Sequence, residues 1–306
     1  MPVFILSIIL ALSLFSPAIA TADVLKVQAV AKNVFAIVGP LGNRDKDNLG
    51  NNATFGLVVT SAGAVLIDAG GTVKGAAQLD AAIRTVTNKP VVAVINTGGQ
   101  DHRWLGNGYF KDKGATIYAS AAAVEDQAER FSQQIQGLEF LVGKKHVDGT
   151  GQVQADVTFE ERRDLKIGDT VFQLIPAPAH TPGDAIVWLA TARVAFSGDL
   201  VYVQRLLGII DVSSLNDWIK SFAVLESLAP EHVVPGHGTP TTLARAQADT
   251  RDYLQNLQSG IRRMIANGDD DRAAVNIDQS RWSPLGNFEQ LAKRNALAAY
   301  FQLEFE

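Results

Sequence analysis

Along this chain come His180-Thr181-Pro182-Gly183-Asp184, then Ser197-Gly198-Asp199, then Pro235-Gly236-His237-Gly238, each after an apolar run that reads as a strand. A further histidine, His102, sits in Thr97-Gly98-Gly99-Gln100-Asp101-His102-Arg103, behind the apolar run Val91–Ile95. Imidazole and carboxylate side chains are nitrogen and oxygen donors suited to Zn²⁺ or Fe. An ion held by such a set lowers the pKa of bound water toward about 7, which makes hydroxide available as a nucleophile. Gly183, Gly198, Gly236 and Gly238 can take positive φ and let the backbone come close to an ion. Of the five histidines, His102, His180 and His237 share this local setting, and with Asp199 they point to one site. His146, after Lys144-Lys145, reads as a solvated residue, and His232, ahead of a strand, as a structural one.

The motif series resembles that of the metallo-β-lactamase-fold hydrolases, over roughly residues 30–240 and including Asn52–Gly56 and Leu66-Ile67-Asp68. The resemblance implies an α/β fold, an αββα sandwich with metal ions at one edge. It also implies that two first-motif histidines and His180 would hold one ion. The Asp-His pair and His237 would hold a second, with Asp199 bridging. His180, Asp199 and His237 carry over by position, but the first motif does not. The family pattern is Thr-His-x-His-x-Asp-His. Without gaps, Gly98 and Gln100 fill the two histidine slots, His102 the aspartate slot and Arg103 the last histidine slot. Aligned instead on the Asp-His pair, Asp101 and His102 remain as ligands.

In both registers the first ion lacks two histidines. The expectation is therefore one ion rather than two, Zn with Fe as the alternative, drawn from Asp101, His102, His180, Asp199 and His237. Arg103 is the candidate catalytic residue: its guanidinium can replace part of a missing ion's charge by pairing with Asp199 or with an anionic substrate group. Asp199, in Phe196-Ser197-Gly198-Asp199, resembles the bridging aspartate of the glyoxalase II-like branch, whereas β-lactamases of this fold generally carry Cys or Ser there. The expected reaction is hydrolysis of an ester, thioester or related acyl bond by metal-bound hydroxide. The competing reading is a non-catalytic binding protein on a decayed metallohydrolase fold, and metal content separates the two.

Composition narrows the partners. The 306 residues are 47% hydrophobic and 19% charged, which suits a substantial core. A net charge of −5 argues against nucleic acid and leaves a small-molecule substrate. The absence of cysteine excludes disulfides, a thiolate ligand and a cysteine nucleophile. Val3–Phe15 is almost wholly apolar and leads to Ala18-Ile19-Ala20, the pattern of a secretory signal peptide. The run falls short of the roughly 20 residues a membrane span needs. Residues 1–20 are thus expected to be removed, with 21–306 left as one exported, periplasmic domain with no stable membrane anchor. An uncleaved anchor is the alternative.

The positioning elements follow from hydrophobic period. Two short strands are expected over Val24–Val38, and a hairpin at Thr54–Val59 and Ala64–Asp68 around Ser61-Ala62-Gly63. Further strands are expected at Val91–Ile95, Ala115–Ala119, Asp169–Ile175, Ala185–Leu189, Arg193–Phe196 and Val233-Val234. Helical spacing covers Val73–Val86, Ala121–Leu141, Leu215–Leu228, residues 241–266 and Phe288–Leu303. In Ala121–Leu141 the stripe Val124, Ala128, Phe131, Ile135 and Leu138 reads as core packing. This alternation of strands and helices favours a layered α/β domain.

Overall fold

A computed structural model describes residues 24–304; the apolar leader and its cleavage motif lie outside the described residues. Two sheets stack face to face. The first contains β1 (Lys26–Ala31), β2 (Val34–Val38), β3 (Thr54–Val59), β4 (Ala64–Ile67), β5 (Val91–Ile95), β6 (Thr116–Ser120) and β7 (Val157–Phe159), in that spatial order. It is antiparallel from β1 to β4 and parallel from β4 to β7. The second contains β8 (Arg163–Ile167), β9 (Thr170–Pro176), β10 (Ala185–Leu189), β11 (Val194–Phe196) and β12 (His232–Val234), ordered β12-β11-β10-β9-β8. Only β11 and β12 run parallel in it.

Side-chain alternation builds three apolar layers from these two sheets. In β10, Ala185, Val187 and Leu189 face the first sheet and meet Ile67, Ala93 and Ile95. Ile186 and Trp188 point the other way, toward α6 (Leu215–Ser227). On the far side of the first sheet, Leu66 and Val94 pack against Leu79 and Ile83. These belong to α1 (Val73–Arg84), which Thr72 caps by accepting from Gly75 N at 2.8 Å. The result is an αββα sandwich.

Along the chain between β5 and β7 come the short helices α2 (Asp101–Trp104) and α3 (Asn107–Lys111), the long α4 (Ala121–Val142) and the single turn α5 (Lys144–Val147). After the second sheet come α7 (Leu243–Ala246), a π-helical turn at Gln247–Arg251, α8 (Asp252–Asn267), α9 (Asp271–Ala274) and α10 (Phe288–Leu303). Trp218, Phe222 and Leu225 of α6 are fully buried among these C-terminal helices. Each such side chain contributes about 1.5–3 kcal/mol on burial.

Three expectations are corrected. Strands β7 and β8 were not expected. The first is three residues long, and the second is an edge strand whose charged, exposed positions hide its period. The buried face of α4 is also not the expected apolar stripe: of that stripe only Leu138 is buried, whereas Asp126, Gln127 and Gln134 are. Phe131, Ile135 and Leu138 do pack in a cluster with Trp104, but the polar part of the face meets backbone. Gln127 Nε2 donates to Gly98 O at 3.2 Å, and Gln134 Nε2 to Gly99 O at 2.8 Å. Buried carbonyls need donors, and apolar residues there would leave them unpaired.

Candidate metal centre

The site residues leave the C-terminal ends of neighbouring strands, which brings them to one edge of the sandwich. Asp68 ends β4, and its carboxylate accepts from Thr97 N at 2.7 Å just beyond β5. That contact anchors the loop leading into α2, which carries His102 and Arg103. Asn96 secures α2 from behind, donating to Arg103 O at 2.8 Å. Beyond β11, Gly198 takes φ +49 and starts the 3₁₀ turn that presents Asp199. Beyond β12, the chain runs through Pro235-Gly236 to His237. Gly183 and Gly236 do not have positive φ; they are required for closeness, since a Cβ would overlap Ala123 N in one case and Gly198 O in the other.

His102, Asp199 and His237 come together, with ligand atoms all within 4.8 Å of one another and every side chain buried. His102 Nε2 is 3.1 Å from Asp199 Oδ2, and His237 Nε2 is 3.3 Å from Oδ1. Asn52 O lies 2.9 Å from His237 Nδ1, and because a carbonyl only accepts, Nδ1 carries the proton. Burial, helped by the Arg205 charge, holds His237 well below its ordinary pKa, so the ring is neutral. Its Nε2 therefore turns a lone pair toward a carboxylate oxygen. A cation between the two satisfies both, so the donor set fits a small divalent ion.

Asp199 itself stays ionised. Burial pushes its pKa up, but the Arg103 guanidinium and His102 overcome this and hold it well below the usual carboxylate range. Arg103 is 1% exposed, and all five of its N–H groups are used. Nε and Nη2 reach the two oxygens of Asp199 at 3.2 and 2.7 Å. Nη1 donates to Thr54 O at 3.1 Å and Asp68 Oδ2 at 2.9 Å, and Nη2 also donates to Gly236 O at 2.9 Å. The expected pairing with Asp199 is present, and no donor remains for an anionic substrate group.

Asp101 and His180 lie outside the three-residue cluster. The Asp101 carboxylate sits on the far side of the His102 ring, 2.9 Å from Nδ1, and is paired with Arg44. Burial works against its charge, yet Arg44 and His102 hold its pKa well below the usual range. His102 rather than Asp101 faces Asp199, as in the ungapped register. His180 Nδ1 lies 3.0 Å from Gly208 O, and burial lowers the pKa of this histidine to about 4 despite Asp199. Gln100 Oε1 accepts from Arg130 Nη1 at 3.3 Å, and Gly98 has no side chain to offer. Gly98 and Gln100 therefore offer no imidazole where the family pattern has two, while His180 keeps its Nε2 unbonded.

Several residues at the site carried no sequence signal of this role. Tyr202 stacks on His237, with ring centroids 4.6 Å apart and planes 17° from parallel. Burial and the neighbouring Asp199 push its phenol pKa well up, so it stays protonated. Thr250, in the π-helical turn, holds the Tyr202 backbone at both N and O. His146 is half-buried, and His232 stands exposed at the start of β12, both away from the site.

An αββα sandwich with a buried His–Asp–His centre at its strand ends is the scaffold of a metal-dependent hydrolase. The chain belongs to the metallo-beta-lactamase superfamily, whose family model matches residues 50–237. It is 25% identical over 185 residues to the metallo-beta-lactamase type 2 of Elizabethkingia meningoseptica, a match covering 59% of this chain and 66% of the relative, just under two thirds. It is 24% identical over 188 residues to a probable metallo-hydrolase of Bacillus subtilis, covering 54% of this chain and 87% of that one. In fold it is similar to the sec-alkylsulfatase Pisa1 from Pseudomonas sp., with a TM-score of 0.72 at 16% identity, over 92% of this chain and 51% of the other.

Proposed function

We propose that this chain is an exported hydrolase that uses one metal ion to cleave an ester, thioester or related acyl bond in a small-molecule substrate. The observation that carries this reading is the neutral His237, whose Nε2 faces Asp199 at 3.3 Å beside His102. Bound there, Zn²⁺, or Fe in its place, would supply Lewis acidity and acidify a water toward neutral pH. The chain's own residues set the rest of the chemistry. Asn52 O and the Asp101 carboxylate hold the two imidazole rings by Nδ1, which keeps each Nε2 directed inward. Arg103 acts through Asp199 as a positioning residue. His180, neutral and tied to Gly208 O by Nδ1, keeps Nε2 free to accept the proton that an attacking water must lose.

Asp199 stands where β-lactamases of this fold generally carry Cys or Ser, which argues against lactam hydrolysis. The leader through Ala18-Ile19-Ala20 supports export to the periplasm, with 21–306 as the mature domain. Reconstitution of mature protein with limiting Zn²⁺ tests the reading. One ion per chain is expected, with hydrolysis of p-nitrophenyl esters or acyl thioesters that chelation abolishes. His237→Ala should lose both ion and turnover. An ion taken up without hydrolysis of either bond would leave a binding protein on this fold, and no ion at all would overturn the proposal.

A further inference from the structure

Two arginines are fully buried in polar surroundings with opposite compensation. Arg103 lies between two carboxylates, whereas Arg205, 8% exposed, pairs with no carboxylate among the described residues. Arg205 Nη1 reaches only Gly42 O, at 3.3 Å, and stands 3.5 Å from His237 Nδ1, whose proton is already given to Asn52 O. Its Nε has no partner. A buried cation without a paired counter-charge is unfavourable, and the more distant Asp199 carboxylate offsets its burial only in part.

A second guanidinium comes close from the β2–β3 loop. Arg44 Nη2 is held by Asp101 and lies 2.7 Å from His102 Nδ1, and its Nε is likewise buried without a partner. Asn52, whose Nδ2 donates to the same Gly42 O at 3.0 Å, leaves its Oδ1 unpartnered. Arg205 and Asn52 thus meet at Gly42 O, two residues from Arg44, and the two guanidiniums stand against Nδ1 of the two ligand histidines. Each guanidinium opposes the charge of the other, as the lowered pKa of Arg205, due first to burial, reflects.

We propose that Arg205 and Arg44 form a receptor for an oxyanion group of the substrate, a carboxylate, sulfate or phosphate seated under the β2–β3 loop. The planar forks provide paired N–H donors of the geometry such groups accept. The missing counter-charge is then the substrate's own, and neutral esters lack it. This rests on the hydrolase reading for the word substrate, but the receptor itself does not depend on a metal ion.

The test uses metal-free full-length protein and inorganic sulfate, titrated calorimetrically at constant ionic strength with chloride as the balancing salt. Saturable one-to-one binding is expected, weakened at least about tenfold in Arg205→Gln and only partly recovered in Arg205→Lys. Without sulfate, Arg205→Gln should melt no lower than the wild type, since it removes an uncompensated charge. Arg44→Gln, at a partly exposed loop position, should weaken sulfate binding independently. Acetate and phosphate titrations then rank the acid group. Equal sulfate binding in wild type and both variants, no binding in the wild type, or a large loss of melting temperature in Arg205→Gln would overturn the proposal. Sulfate binding without hydrolysis would leave the receptor standing and remove the hydrolase reading; hydrolysis without sulfate binding would do the reverse.

Discussion

Arg103 grips both oxygens of Asp199, with Nε 3.2 Å from Oδ2 and Nη2 2.7 Å from Oδ1, in a site where both side chains are about 1% exposed. The same guanidinium holds Asp68 through Nη1 at 2.9 Å. One cation therefore compensates two buried carboxylates that leave different sheets, β4 in the first and β11 in the second. The fork is a structural clamp across the sandwich as well as the support of a ligand.

Removal of that cation strands both carboxylates. Arg103→Ala is expected to cost about 3–5 kcal/mol of stability, the range for breaking a buried ion pair from one side. Arg103→Lys should recover less than half of it, because an ammonium cannot bond both Asp199 oxygens and Asp68 at once. Urea denaturation of the three proteins measures this. A loss under 1 kcal/mol in Arg103→Ala would mean that the carboxylates find other partners or protonate without cost.

Export makes a prediction independent of the site. Protein recovered from the periplasm should begin near Thr21, after Ala18-Ile19-Ala20. Intact mass decides it: a mass that retains residues 1–20 would point to an uncleaved anchor.

Much of the fold was legible because hydrophobic period speaks for buried strands and helices. Val91–Ile95, Ala185–Leu189 and Phe288–Leu303 were expected with the bounds they have. The period failed where burial served something other than apolar packing. On α4 the buried Gln127 and Gln134 are polar because they answer the carbonyls of Gly98 and Gly99, and no apolar stripe marks that part of the face. At the site, strand-end motifs pointed to His102, Asp199 and His237, the three that the fold brings within 4.8 Å of one another, whereas His180 lies outside that cluster. Which of Asp101 and His102 faces Asp199 depends on how the α2 turn is rotated, and adjacent residues cannot reveal that from their identities. Arg44 and Arg205 were silent for a different reason: each leaves a buried Nε without a partner, and absence of a partner appears only in three dimensions.

Buried neutral histidines make stability depend on pH in a stated direction. His180 is lowered from 6.5 to about 4 in the fold, chiefly by burial. Between those values the unfolded chain binds the proton and the folded chain does not, so stability falls as pH falls. The slope approaches 1.4 kcal/mol per pH unit and the full loss from His180 is about 3 kcal/mol by pH 4. His237, depressed by burial and by Arg205, adds loss in the same direction. Asp184, raised by burial, acts in the opposite direction, so the imidazole contribution is read by difference. Between pH 7.5 and pH 5 metal-free wild type should lose more stability, or gain less, than His180→Gln in urea denaturation. An identical pH response in the two proteins would show that His180 titrates in the fold as it does in water.

The altered first motif predicts that a second ion cannot be restored by supplying its missing histidines. A Cβ at Gly98 would overlap Asp184 Oδ1, and one at Gly99 would overlap Asp126 Oδ2. Asp184 is fixed in that position by Thr181, whose N lies 2.9 Å and Oγ1 2.5 Å away. Burial, with Asp199 nearby, pushes the Asp184 pKa well up, and Thr181 engages both of its oxygens. The α4 glutamines close the other side of the loop. Gly98→His combined with Gln100→His should therefore lower stability by several kcal/mol through overpacking, about 1–3 kcal/mol at a single tight position and more where backbone must move. Elemental analysis under excess Zn²⁺ should still give one ion per chain at the His102–Asp199–His237 centre. Two ions per chain with unchanged stability would show that the loop has room the packing denies, and that loss of the histidines alone, not the rebuilt surroundings, accounts for the single centre.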